Sequence, residues 1–215
     1  MEKKGKFIVL EGLDGCGTTT QTGLLRDWFA GEGKAYGAAW VTREPTDGPA
    51  GTLARLALNK RLALDPYTLA LLFAADRADH LYRSDAGGQE PGVLAHLRAG
   101  IHVISDRYVL SSLAYQALDA EREWIGQINS QALKPDLIVY MDIEPETAAR
   151  RLDQARPYRD LYEALEKQRA VRRHYEEGIL FLTARGYSVC RVNGDLPPAE
   201  VAGEIRQAIL PLLMF

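Results

Sequence analysis

Cysteine is scarce in this chain: its 215 residues include two, Cys16 and Cys190. They stand far apart, with no Cys-x-x-Cys pair and no histidine at ligand spacing, so neither a disulfide framework nor a zinc site is indicated, and a reducing cytoplasm is the expected setting. Long apolar runs are missing as well. Phe7-Ile-Val-Leu10 gives four apolar residues before Glu11, too few for a signal peptide or a membrane span, so a soluble and unprocessed chain with no membrane partner is expected. Nor is there a surplus of positive charge. Lys and Arg number 26 against 29 Asp and Glu, a formal net charge of -3. A non-specific nucleic-acid binder needs excess cations to displace counterions, so any anion here must be met by a local cluster. The histidines, His80, His96, His102 and His174, show no ligand spacing and are assigned no chemistry.

What is present is enough apolar material for one sizeable core: hydrophobic types make up 47% of the chain and charged types 26%. A single domain over 1–215 is expected. Short β-branched or apolar runs at 7–10, 38–42, 102–105, 137–141 and 188–192 read as strands. Helical periodicity fills 19–29, 67–82, 92–99, 121–132, 146–154, 161–184 and 199–213. Strands that are apolar throughout are covered on both faces, which helices supply through right-handed crossovers. The expected fold is α/β, a three-layer α/β/α sandwich around a five-stranded parallel sheet. The stretches 46–51 and 84–88 read as loops inside the domain.

The first strand runs into Gly12-Leu-Asp-Gly-Cys-Gly-Thr-Thr19. This matches the phosphate-binding pattern GxxxxGK[ST] at both glycines and at the closing Thr19, but Thr18 stands where the pattern has lysine. Glycines let the backbone curl until successive N–H groups and the helix N-terminus face phosphate oxygens, and the hydroxyl of Thr19 suits Mg²⁺. Gly12, Gly15, Cys16, Gly17, Thr18, Thr19 and Thr20 are therefore the candidate triphosphate cradle. A cation near the β and γ phosphates offsets transition-state charge, and losing one such contact typically costs about 3 to 4 kcal/mol. Something else must supply the charge that Thr18 lacks, or the rate is low.

Four further segments, in order, turn this pattern into a resemblance: Thr42-Arg-Glu-Pro45, Leu72-Phe-Ala-Ala-Asp-Arg77, Ser105-Asp-Arg-Tyr-Val-Leu-Ser-Ser-Leu-Ala-Tyr-Gln116 and Arg150-Arg-Leu-Asp-Gln-Ala-Arg-Pro-Tyr-Arg-Asp160. Together with the loop they span most of the chain, and the chain resembles the thymidylate kinases. That resemblance implies a P-loop kinase fold, ATP as donor, Mg²⁺, thymidylate as acceptor and a homodimer. It implies that Asp14 lies near the acceptor sugar and phosphate, that Arg43 and Arg107 grip the acceptor phosphate, and that Phe73 stacks on the base while Arg77 bonds a base carbonyl. Asp106 is implied beside the reacting phosphates and Mg²⁺, and Ser111, Ser112 and Tyr115 along the base and sugar pocket. The last segment resembles a lid over the donor phosphates, around 150–160, with Arg156 or Arg159 expected to provide the charge missing at Thr18. A kinase for another pyrimidine monophosphate, or a nucleotide-binding protein of low activity, are the alternatives that the residues leave open.

Overall fold

A computed structural model describes residues 5–84, 90–155 and 161–214. Its centre is β1 (Phe7–Gly12), every residue of which is buried. An unbroken run of Phe, Ile, Val and Leu has no polar face to offer water, so the strand must be covered on both sides. The remaining strands are β2 (Ala39–Arg43), β3 (His102–Asp106), β4 (Leu137–Asp142) and β5 (Val189–Asn193), in spatial order β2-β3-β1-β4-β5. All pairings are parallel, as the alternation of strands and helices predicts. The core joins β1, β3 and β4 to the buried faces of the helices on either side, with Leu25 and Phe29 on one flank and Leu110, Leu113 and Tyr175 on the other.

The helices are α1 (Thr18–Ala30), α2 (Pro49–Leu58), α3 (Pro66–Tyr82), α4 (Val93–Arg98), α5 (Val109–Tyr115), α6 (Arg122–Ile128), α7 (Pro145–Ala155), α8 (Leu161–Thr183) and α9 (Pro198–Leu213). Local chemistry sets several starts. Pro66 occupies the first turn of α3, where its missing N–H costs nothing, and Asp65 caps the helix by accepting from Thr68 N at 3.0 Å. Two helices depart from the sequence reading. The stretch 46–51 is not loop throughout, since α2 begins at Pro49, another proline at a first turn. Gly51 is needed there by close approach: a Cβ would lie 2.2 Å from the Thr46 carbonyl oxygen. The short α5 lies inside a segment read for its site residues and not for its periodicity.

The register brings the functional ends together. Leu10 pairs with Asp106 and Arg43 with Asp106, while Gly12 pairs with Met141. The carboxyl ends of β1, β2 and β3 thus open on one edge of the sheet, where open parallel sheets bind ligands.

Candidate active site

The loop between β1 and α1 is backbone machinery. Gly17 caps α1 in the left-handed region at φ 96°, and Gly15 has φ 90°, conformations that cost a side-chain-bearing residue about 1 to 2 kcal/mol. Gly15 also packs so closely that a Cβ would sit 2.7 Å from the Ala148 carbonyl oxygen. Cys16 is buried, and burial pushes its thiol up to about 11, so it stays protonated and unreactive near neutrality. Thr18 is buried as well, at 5% exposure. The loop lines a cavity of about 780 Å³ together with Gly194, Leu196 and Pro198 from the β5–α9 turn.

At the next strand end, Thr19 Oγ1 donates to Asp106 Oδ2 at 2.6 Å. The other oxygen, Asp106 Oδ1, is buried and has no hydrogen-bond partner. A buried carboxylate oxygen without a donor calls for one, and a hydroxyl beside a half-satisfied carboxylate suits a hard cation. The pair fits Mg²⁺ on that ground.

Arg107 is the hub. Its backbone holds φ 72°, unusual for a residue with a side chain. The guanidinium donates to Asp14 Oδ1 at 2.7 Å, to the Gly12 carbonyl at 3.0 Å, and to Ser111 Oγ and Tyr175 Oη at 3.1 Å each. Burial would lower its pKa, but Tyr115, Tyr175 and Asp14 outweigh that and keep it charged. Beneath it lies Glu11, fully buried, whose Oε1 accepts from Tyr108 N at 2.9 Å and Ser111 N at 3.1 Å. A strand carboxyl thereby satisfies two N–H groups at the start of α5. Burial raises its pKa to about 7 against the opposing effects of Ser111, Arg107 and Tyr108.

The second cavity, about 430 Å³, opens beside the first. Phe73 and Arg77 of α3 line it, with Ser111, Ser112 and Tyr115 of α5. Arg77 and Phe73 lie one helical turn apart, as their spacing predicts. Arg77 is 2% exposed and held from three sides: its Nε donates to Glu44 at 2.9 Å, Nη2 to Ser112 Oγ at 3.1 Å, and Nη1 to Asn129 Oδ1. Glu44 is fixed in turn by His80 Nδ1 at 3.0 Å, whose Nε2 meets Thr42 Oγ1 at 2.8 Å. The hydroxyl of Tyr115 accepts from Asp14 N at 2.9 Å, and Arg107 lies over its ring at 5.3 Å.

The cavities share a wall that contains Asp14, Arg107, Tyr115 and Lys167. Arg43 is placed apart from it. Its side chain is 61% exposed and bonds Asp47 at 3.0 Å, and the residue lines a third cavity with Thr19 and Asp106. Thr20 lies on the first cavity's wall, whereas Arg156 and Arg159 lie outside the described residues. Sequence reasoning missed Glu11, Gln168 and Tyr175. Glu11 ends an apolar run and gave only the oddity of a charge there; Gln168 and Tyr175 carry no motif.

Fold and loop together define the class, an α/β protein with a five-stranded parallel sheet and a glycine-rich loop between two adjoining cavities. The thymidylate kinase family model matches residues 10–205. A Pyrobaculum aerophilum protein named "Probable thymidylate kinase" is 37% identical over 210 residues, 97% of this chain and 98% of its own. A Pyrococcus horikoshii protein of the same name is 40% identical over 178 residues, 80% and 82% of the two chains. This chain belongs to the thymidylate kinase family.

Proposed function

We propose that the chain is a thymidylate kinase that transfers the γ-phosphoryl group of ATP to dTMP, giving dTDP. The observation that carries this reading is the wall common to the two cavities, Asp14, Arg107 and Tyr115. Phosphoryl transfer asks for in-line placement and charge neutralisation, and a shared wall lets two phosphate esters meet end to end.

Loop amides of Gly15 to Thr19 hold the donor phosphates. Arg107 grips the acceptor phosphate, exchanging part of its Asp14 contact for phosphate oxygens. Arg43 joins it by leaving Asp47, an exposed pair of small worth. Phe73 stacks on the base and Arg77, preset by Glu44 and Asn129, offers its remaining N–H to a base carbonyl. Thr19 and Asp106 would hold Mg²⁺, which would supply charge neutralisation at the phosphates. Arg156 or Arg159 adds further charge at the donor phosphates.

The whole chain acts as one domain, in keeping with its continuous core. It works as a homodimer: Leu53 on α2 and Tyr67 and Leu71 on α3 leave apolar side chains exposed. A cytoplasmic setting fits the two free cysteines. Among the described residues no helix is long and apolar enough to cross a membrane.

An acceptor panel tests the assignment. With ATP and Mg²⁺, dTMP is expected to exceed dUMP, dCMP and UMP in kcat/KM; a different preferred acceptor would overturn the base assignment, and no diphosphate from any of them would overturn the kinase.

A further inference from the structure

We propose that Lys167, on α8, supplies the positive charge that the phosphate-binding loop lacks at Thr18. The inference rests on the kinase reading above and adds a residue to its catalytic machinery. Among the described residues, two cations line both the donor-loop cavity and the acceptor cavity: Arg107 and Lys167. Arg107 is already engaged with Asp14, Gly12, Ser111 and Tyr175. Arg151, which reaches the loop cavity alone, donates to the Gly194 carbonyl at 3.0 Å.

Helix geometry explains why a lysine far along the chain stands at this junction. Gln168 Nε2 donates to the Asp14 carbonyl at 3.0 Å, and Tyr175 Oη donates to the Gly12 carbonyl at 2.8 Å, so α8 is pinned along the loop at two points seven residues apart. Val171 and Tyr175 are buried on that face. Lys167, Val171 and Tyr175 follow one another at intervals of four, which puts Lys167 on the N-terminal continuation of the same stripe. There it lines both cavities, and an ammonium on a flexible stem is a point charge suited to phosphate oxygens.

In the step, an oxygen of the acceptor phosphate forms a bond to the γ-phosphorus as the bond from that phosphorus to the β–γ bridging oxygen breaks. The electron pair stays on the bridging oxygen of the departing diphosphate. Lys167 gives up no proton; its charge offsets negative charge gathering on the transferred group, as the loop lysine does in the full pattern.

Steady-state dTDP formation by wild type, Lys167→Met, Lys167→Arg, and each with and without Thr18→Lys, tests this. Lys167→Met is expected to lower kcat about 10²-fold while changing KM for dTMP less than about threefold, and Lys167→Arg to retain a tenth or more of the wild-type rate. Thr18→Lys is expected to restore about tenfold or more in the Lys167→Met background, a larger gain there than in the wild type, the non-additivity of two groups sharing one task. An undiminished kcat in Lys167→Met overturns the proposal, and so does an equal effect of Thr18→Lys in both backgrounds. If wild type itself forms no dTDP, the kinase reading has failed and not the lysine alone.

Discussion

The two halves of the site, the loop cavity and the cavity between α3 and α5, are built from different materials. Around the phosphate loop the groups that matter belong to the main chain, positioned by Gly15 and Gly17 in the left-handed region. Around the second cavity the groups are side chains in a continuous chain of bonds, Thr42–His80–Glu44–Arg77–Ser112, most of it buried. A backbone cradle tolerates side-chain replacement, which is how a threonine can stand at position 18 without dismantling the loop. A buried polar network tolerates little, because each member lost strands its neighbours.

Substitutions can break or sharpen that contrast. The largest effect is expected from Glu44→Ala. It leaves Arg77 buried without its 2.8 Å ion pair, and losing one partner of such a pair costs about 3 to 5 kcal/mol. Urea unfolding measures it; a cost below about 1 kcal/mol would mean that the acceptor half is as permissive as the loop. Next is Arg107→Met, expected to lower dTDP formation by about 10² to 10³-fold, since this guanidinium lies on both cavities.

Glu11 lies beneath the junction and gives a pH signature. With its pKa at about 7 in the fold against 4.5 ordinarily, the folded chain holds a proton between these values that the unfolded chain has released. Its contribution is full below pH 4.5 and is lost as pH rises through 7, about 3 kcal/mol in all. Glu11→Gln keeps the shape and is expected to flatten that slope in denaturant titrations from pH 5 to 8; an unchanged slope would assign the pH dependence elsewhere. Phe73→Ala is expected to raise KM for dTMP by about tenfold, within the 1 to 3 kcal/mol typical of base stacking, with little change for ATP. Smallest of all, Thr18→Ala should alter turnover less than about threefold, because in the proposed reading the loop binds phosphate through its amides, which the substitution keeps.

These two materials were also unequally legible in the sequence. Strand β1 was plain from its unbroken apolar run, and the loop from its glycine spacing, since both are local. The five parallel strands and most helices followed from the same signals. Helix α2 was obscured because Gly48, Pro49 and Gly51 give the signature of a turn, whereas here Pro49 opens a helix and Gly51 packs on Thr46. In the site, Arg77 and Phe73 could be paired by their spacing on one helix. That Arg77 is held by Glu44, Ser112 and Asn129 depends on contacts 33, 35 and 52 residues away, which no local pattern encodes. The same holds for Tyr175 and Lys167, whose places follow from how α8 lies along the loop.

The meeting of donor and acceptor at a shared wall is tested most directly by calorimetric titration with a bisubstrate ligand, adenosine and thymidine joined through five phosphates. One ligand spanning both cavities should bind at least about 10²-fold more tightly than ATP or dTMP alone, because the second contact becomes intramolecular. Affinity no greater than that of the better single nucleotide would contradict the account, since it would mean that the two cavities do not open onto each other.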